Sequence, residues 1–240
     1  MVRERIEDVS HPDAGDVTLG LIRAAASSVP VLGPAAVELL GLVIVPPLEA
    51  KRNEWLNQLA DDLDRLSERV DGFEIRALAG HDEFISAVAL GVGAVSRTSQ
   101  PDKRDLLRHA VLNAALGRVP AFDMLTVFMA YVEYLSPLHV QLLAVFHDPA
   151  KALEDAGSQL ASSLHIGGSP VQIVAEVLPD LGRNRDVCDF LWRDLYERRL
   201  VNLDSLHGMM SAQGVLARRT TDLGEQFLEF LSEPPELGLE

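Results

Sequence analysis

Apolar and polar positions divide the stretch from Val29 to Val70 into two arms of opposite character. The first, VPVLGPAAVELLGLVIV, is apolar nearly all round, with Glu38 as its single charge. Pro34 suits a first helical position, where a missing N–H costs nothing. A helix over Pro34 to Val45 with no polar side is expected to be buried or in lipid. Pro46 and Pro47 are expected to end or kink it, because each ring removes a hydrogen-bond donor. In the second arm Leu48, Trp55, Leu59, Leu63, Leu66 and Val70 recur at steps of three, four or seven. That spacing predicts a long amphipathic helix. Its opposite face carries Lys51, Arg52, Asp61, Asp62, Arg65, Glu68 and Arg69 to water, and Asp71-Gly72 stops it.

Upstream, a solvated lead-in of about 14 residues precedes a first short helix capped by Asp16. Downstream, a connector over Phe73 to Ala79 leads to DEFISAVALGVGAVSRT. Its apolar residues point several ways, so a central helix is expected, with Gly91 and Gly93 allowing close approach. Gln100-Pro101, Pro120, Ser136-Pro137 and Asp148-Pro149 each open a further helix by a cap or a proline. Inward faces are expected at Leu106, Leu107, Ala110, Val111 and Ala114, and then at Phe122, Leu125, Phe128, Met129, Val132 and Leu135. Gly167-Gly168-Ser169-Pro170 is the best domain boundary. Beyond it come helices from Pro170 to Leu178 and Arg185 to Leu200. An antiparallel pair is expected between Leu200-Val201 and Gly214 to Arg219, and a last helix over TDLGEQFLEFL.

The fold expected is therefore mainly α. A helical bundle of seven or eight helices occupies residues 1–167, with 34–45 as its buried helix. A small α+β domain occupies 168–240.

Composition narrows the function. Leu, Val and Ala dominate and aromatics are 5% of the chain, which suits packed helices better than a β-sandwich. A net charge of −15 repels nucleic-acid phosphates unless a local basic face exists. The single cysteine, Cys188, allows no internal disulfide, and a reducing cytoplasm is the simplest expectation.

The segment from Gly182 to Leu231 resembles the end of a winged-helix domain. A helix finishes in DLYERRLV, a hairpin wing follows, and RRTTDLGEQFLEFL carries a Thr-x-x-Gly helix start. The resemblance implies a small α+β module of the kind used both to read DNA and to bind proteins. From Pro30 to Phe146, the segments VPPLEAKRNEWLNQLADDLDRL, HDEFISAVALGVGAVSRT and KRDLLRHAVLNAAL resemble an uncharacterised group of bacterial all-helical proteins. That likeness implies bacterial origin and a shared fold, and supplies no catalytic residues.

Catalytic patterns are not evident. The seven histidines are scattered, and His139 and His147 lie about 12 Å apart along one helical register, too far to share an ion. Gly91-Val92-Gly93 sits in a helical pattern rather than after a strand, so helix packing outweighs phosphate binding. Cys188 reads as a buried, inert thiol. No catalytic, cofactor or metal residue is assigned, and the chain leans away from an enzyme.

A non-enzymatic protein-interaction or regulatory role is expected, through a partner protein or self-association. Two alternatives stand beside it. A membrane-active protein, pore-forming or a defence effector, would use the apolar helix 29–48, with Leu39, Leu40, Leu42, Val43 and Ile44 as its membrane segment. Glu38 opposes that, at on the order of 2–3 kcal/mol at mid-membrane. A DNA-binding regulator would use Arg193, Arg198, Arg199, Arg218 and Arg219, against the repulsion of the interleaved Asp189, Asp194, Glu197 and Asp204.

Overall fold

The structure is a computed structural model. It describes residues 34–120, 123–164 and 167–238, with the backbone alone over 34–48. The chain divides into two compact units, Met1–Asn57 and Gln58–Glu240. The described residues are mainly helical.

Helix α1 runs over Pro34–Arg69. Pro34 opens it as expected, but Pro46 and Pro47 do not end it. Two prolines remove only their own N–H donors, and the remaining ladder carries the helix through. The expected stripe is buried at Trp55, Leu59, Leu63 and Leu66. Leu39, Leu40, Leu42, Val43 and Ile44 lie in the helical backbone of α1, and their side chains are outside the described residues, as is the helix expected after Asp16.

Within the second unit, a 3-10 turn over Ile75–Gly80 leads to α2 (Asp82–Arg97) and α3 (Pro101–Ala115). Then follow α4 (Met124–Tyr134), α5 (Pro137–Val145), α6 (Pro149–Asp155) and α7 (Leu160–Ser163). Three of these begin with the prolines that marked them: α3, α5 and α6. Asp148 also caps α6, its side chain accepting from the Lys151 N–H at 3.1 Å. Helix α4 starts later than expected, at Met124 rather than Pro120, because Asp123 takes a left-handed φ of 57° that interrupts the turn.

Helix α2 is not central. It packs on α3 and α4, which covers Ala87, Gly91, Ala94 and Val95. Ile85 and Leu90 remain exposed on its other side. At Gly93 a methyl group would meet only the side chain of Arg97, so close helix approach does not occur there.

Helix α3 is the middle of the unit, with Leu107, Ala110, Val111 and Leu112 wholly buried. It also carries polar anchors. The Asp62 carboxylate of α1, expected in water, is 4% exposed. Its Oδ2 lies 2.9 Å from Arg108 Nε, and Arg65 pairs with its other oxygen. Arg108 Nη1 is 3.0 Å from Asp105 and donates to Gln58 Oε1 at 3.0 Å. One helical turn on, Asn113 Nδ2 donates to the carbonyls of Phe230 at 3.1 Å and Ser232 at 2.9 Å. These are orphan acceptors at the end of the last helix.

The chain continues through α8 (Val171–Val177), α9 (Pro179–Gly182), α10 (Arg185–Glu197), α11 (Ala212–Val215) and α12 (Asp222–Leu231). The expected α+β character is not found: the described residues contain no strand. One isolated antiparallel bridge, Val201 to Thr220, stands beside the expected wing, and a second, Gly168 to Met210, lies away from it. Gly214 and Val215 are not extended, because Ser211 caps a helical turn at Ala212–Val215, its side chain accepting from the Gly214 N–H at 3.2 Å.

The Thr-x-x-Gly start of α12 is present as read. Thr221 Oγ1 accepts from the Gly224 N–H at 3.1 Å and donates to the Arg199 carbonyl at 2.6 Å. Gly224 is required by contact: any Cβ there would collide with the Leu200 carbonyl.

Candidate functional site

Helix α10 has an inner side that fixes it and an outer side with a stripe that lacks ion-pair partners among the described residues. Asn184 caps it, its side chain accepting from the Val187 N–H at 3.3 Å. Cys188, Leu191, Trp192 and Leu195 face inward and are buried. Trp192 packs edge-on against Phe146, which caps the end of α5, ring centres 4.8 Å apart. Its indole N–H donates to the Leu203 carbonyl at 2.9 Å. Burial raises the Cys188 thiol to about 11, with Asp189 adding to the rise. A thiol held protonated in this way is a poor nucleophile.

Asp194 is the polar part of the inner side. Its Oδ1 lies 3.3 Å from Arg198 Nη1 and its Oδ2 lies 3.4 Å from His139 Nε2. The His139 ring takes the place that Glu or Gln fills at the third position of a capping box. Its Nδ1 accepts the Ser136 backbone N–H at 3.0 Å and lies 2.8 Å from Ser136 Oγ. A serine, a histidine and an aspartate thus lie in line, but the serine serves the start of α5. With Nδ1 accepting, the neutral ring carries its proton on Nε2, facing Asp194.

Burial lowers the His139 pKa below its ordinary 6.5; Asp194 opposes the shift, while Arg198 and Lys103 add to it. Between that lowered value and 6.5 the unfolded chain binds a proton that the folded chain does not. The stability contribution is therefore complete above pH about 6.5 and falls as the pH drops toward the folded value. Urea titrations from pH 7.5 to pH 5 are expected to show this fall, at no more than about 1.4 kcal/mol per pH unit for one histidine. His109 acts in the same direction, being lowered mainly by burial. His139→Gln keeps a capping side chain without a titrating ring and is expected to flatten the curve. An equally steep curve in that variant would assign the fall elsewhere.

The outer side of α10 is built differently. Phe190 is 59% exposed and Val187 is 40% exposed. Asp186, Phe190, Arg193 and Glu197 follow one another at spacings of four, three and four, which places them on one stripe of a helix. Asp186, Arg193 and Glu197 are exposed, and their side chains have no ion-pair partner among the described residues. At the end of the stripe Tyr134 is 58% exposed, with the Arg198 guanidinium 4.1 Å above its ring. On the other flank Asp189 Oδ1 lies 2.6 Å from His207 Nε2, and Met209 is 78% exposed.

The five arginines singled out in the sequence do not form one surface. Arg193 and Arg199 are exposed without a side-chain partner among the described residues. Arg198 is committed to Asp194 and to the Tyr134 ring. Arg218 pairs with Glu225 and donates to Thr220 Oγ1 at 2.8 Å. Arg219 donates to the Gly214 carbonyl and lies 3.1 Å from Met210 Sδ. The expected wing pair is thus turned to its own chain. The sequence reading named Arg193 but missed the stripe around it. The signal was available as the 4-3-4 spacing, but a helix with a strong apolar side hides a weaker pattern on the other.

Among the described residues no group of three His, Cys, Asp or Glu side chains could hold an ion, and no helix is long and apolar enough to cross a membrane. Comparison with protein-family models, curated proteins and solved structures gives no match for this chain.

Proposed function

We propose that the protein is a non-enzymatic interaction or regulatory protein that docks a protein partner on the outer stripe of α10. The observation that carries this reading is Phe190, 59% exposed in the middle of a helix whose other side is wedged into the core. Aromatic and arginine side chains on a rigid element are the groups from which protein-binding hot spots are built. Here Phe190, Arg193, Arg198 and Tyr134 lie on or beside a helix that its inner contacts hold in place.

The DNA reading has less support. Only two of its five arginines are without partners, so phosphate neutralisation would be small, with a salt slope of about −2 at most. Such a contact does not offset a chain of net charge −15. The membrane reading depends on side chains of α1 outside the described residues.

Comparative affinity capture from the native host tests the proposal, with the wild-type chain and Phe190→Asp as baits. A specific protein retained by the wild type is expected to fall at least tenfold with Phe190→Asp, since a hot-spot loss is about 2 kcal/mol or more and tenfold is about 1.4 kcal/mol. Thermal melting should be unchanged, because the side chain lies outside the core. Identical capture by both baits would remove α10 as the docking face.

A further inference from the structure

We propose that the occupant of the α10 face is a second copy of this chain, bound antiparallel about a two-fold axis at Phe190. This inference rests on the docking reading above and supplies its partner. A two-fold interface brings the same surface together from both copies, so the surface must complement itself. The α10 stripe does. Read from its start it runs acid, aromatic, base, acid: Asp186, Phe190, Arg193, Glu197.

Turned end for end about Phe190, Asp186 meets the partner's Arg193, and Arg193 meets the partner's Asp186. The two aromatic rings meet on the axis. Asp186 lies about 6 Å along the helix on one side of Phe190 and Arg193 about 4.5 Å on the other, at 1.5 Å per residue. The length and freedom of the arginine side chain cover that difference. Glu197, beyond Arg193, then lies toward the partner's Arg183, which stands just before the helix. Among the described residues the Arg183 side chain is held by one exposed bridge, to Asp180, with side chains 76% and 97% exposed, and such a bridge is readily exchanged.

The charge pattern also selects among occupants. A nucleic acid or a polybasic segment presents one sign of charge, whereas this stripe alternates. Asp186, Arg193 and Glu197 all lack partners within the described chain, so none has to leave one to make the contact. Asp189, by contrast, is already engaged by His207 at 2.6 Å and lies 3.5 Å from Arg185. One helix face offers less than the roughly 800 Å² per partner of a standard interface. The dimer is therefore expected to dissociate on dilution.

Sedimentation velocity on the full chain, from about 5 to about 500 µM, tests this interface, the range being that of a small, weak one. The wild type is expected to double in mass toward the upper end, and Phe190→Asp to remain monomeric. Asp186→Arg and Arg193→Asp should each weaken the dimer at least tenfold, because each sets like charges opposite one another. The double variant Asp186→Arg/Arg193→Asp restores both pairs with their signs exchanged, and is expected to regain the dimer. Melting curves on each variant show whether the fold persists.

A wild type of single-chain mass throughout, a dimer indifferent to Phe190→Asp, or a double variant no stronger than the singles would each overturn the inference. The two claims separate cleanly. A monomeric chain that loses a captured host protein with Phe190→Asp keeps the docking reading and removes the second copy. A monomeric chain whose capture is unchanged removes both.

Discussion

Asp62→Ala is expected to lower the stability of the second unit by about 3 kcal/mol, toward the lower end of what breaking a buried ion pair costs. The reason is the group left behind. Arg108 has a side chain 18% exposed, and it faces Asp62 at 2.9 Å. Removing the carboxylate leaves a half-screened guanidinium beside the apolar stripe of α1. The loss stays at the lower end because Asp105 and Gln58, each at 3.0 Å, still hold Arg108. The paired substitution Asp62→Leu/Arg108→Met should return to near wild-type stability, since it removes both desolvation penalties together. Urea midpoints for the wild type, the single and the double variant make the measurement. A single-variant loss below about 0.5 kcal/mol would mean that water reaches the pair and screens it as on a surface.

Trp192→Ala is expected to cost more, about 3–5 kcal/mol, the range for removing a buried aromatic side chain from a core. Two further contacts are lost with it. The edge-on pair with Phe146, centres 4.8 Å apart, disappears, and the Leu203 carbonyl loses the indole donor at 2.9 Å. Trp192→Phe keeps most of the buried area and loses the donor, so its effect should be less than half as large. The consequence reaches the outer stripe, because Trp192 is what holds α10 against α5. Amide exchange over Arg185–Glu197 should accelerate with Trp192→Ala beyond the change elsewhere in the unit. Uniform acceleration would instead assign Trp192 to the global core alone.

These two sites differ in how far the sequence discloses them. Trp192 and its inward neighbours Cys188, Leu191 and Leu195 follow a helical period that is legible without coordinates, and Cys188 is buried as that period implies. Asp62 lies among Asp61, Asp64, Arg65 and Glu68, and nothing in its neighbours separates it from a solvated face. Its partner is 46 positions away in the chain. Helical spacing tells which side of α1 a residue occupies, but not that α3 will present a guanidinium at the margin of that side.

By itself the sequence determined most of the longer helices and many of their starts, but not the short turns at Leu160–Ser163, Pro179–Gly182 and Ala212–Val215. Proline fixes φ and gives up a donor that a first helical turn does not use, so Pro101, Pro137 and Pro149 mark helix starts wherever the chain goes afterwards. Thr221 and Asp148 cap through contacts only three residues long. The apolar stripes of α1, α4 and α12 were legible because burial follows a fixed period.

What only the tertiary structure decided was the use of polar and exposed groups. Arg218 and Arg219 look like a phosphate-facing pair until Glu225 and the Gly214 carbonyl are placed beside them. The expected wing reduces to one bridge, Val201 to Thr220, because strand pairing needs several residues in register while the Ser211 cap turns Ala212–Val215 into helix. That Phe190 is exposed is known only once α10 is seen to be covered on one side. Local rules act over three or four residues and survive any fold. The partner of a charge, or the openness of a helix face, depends on elements distant in the chain, and packing settles it.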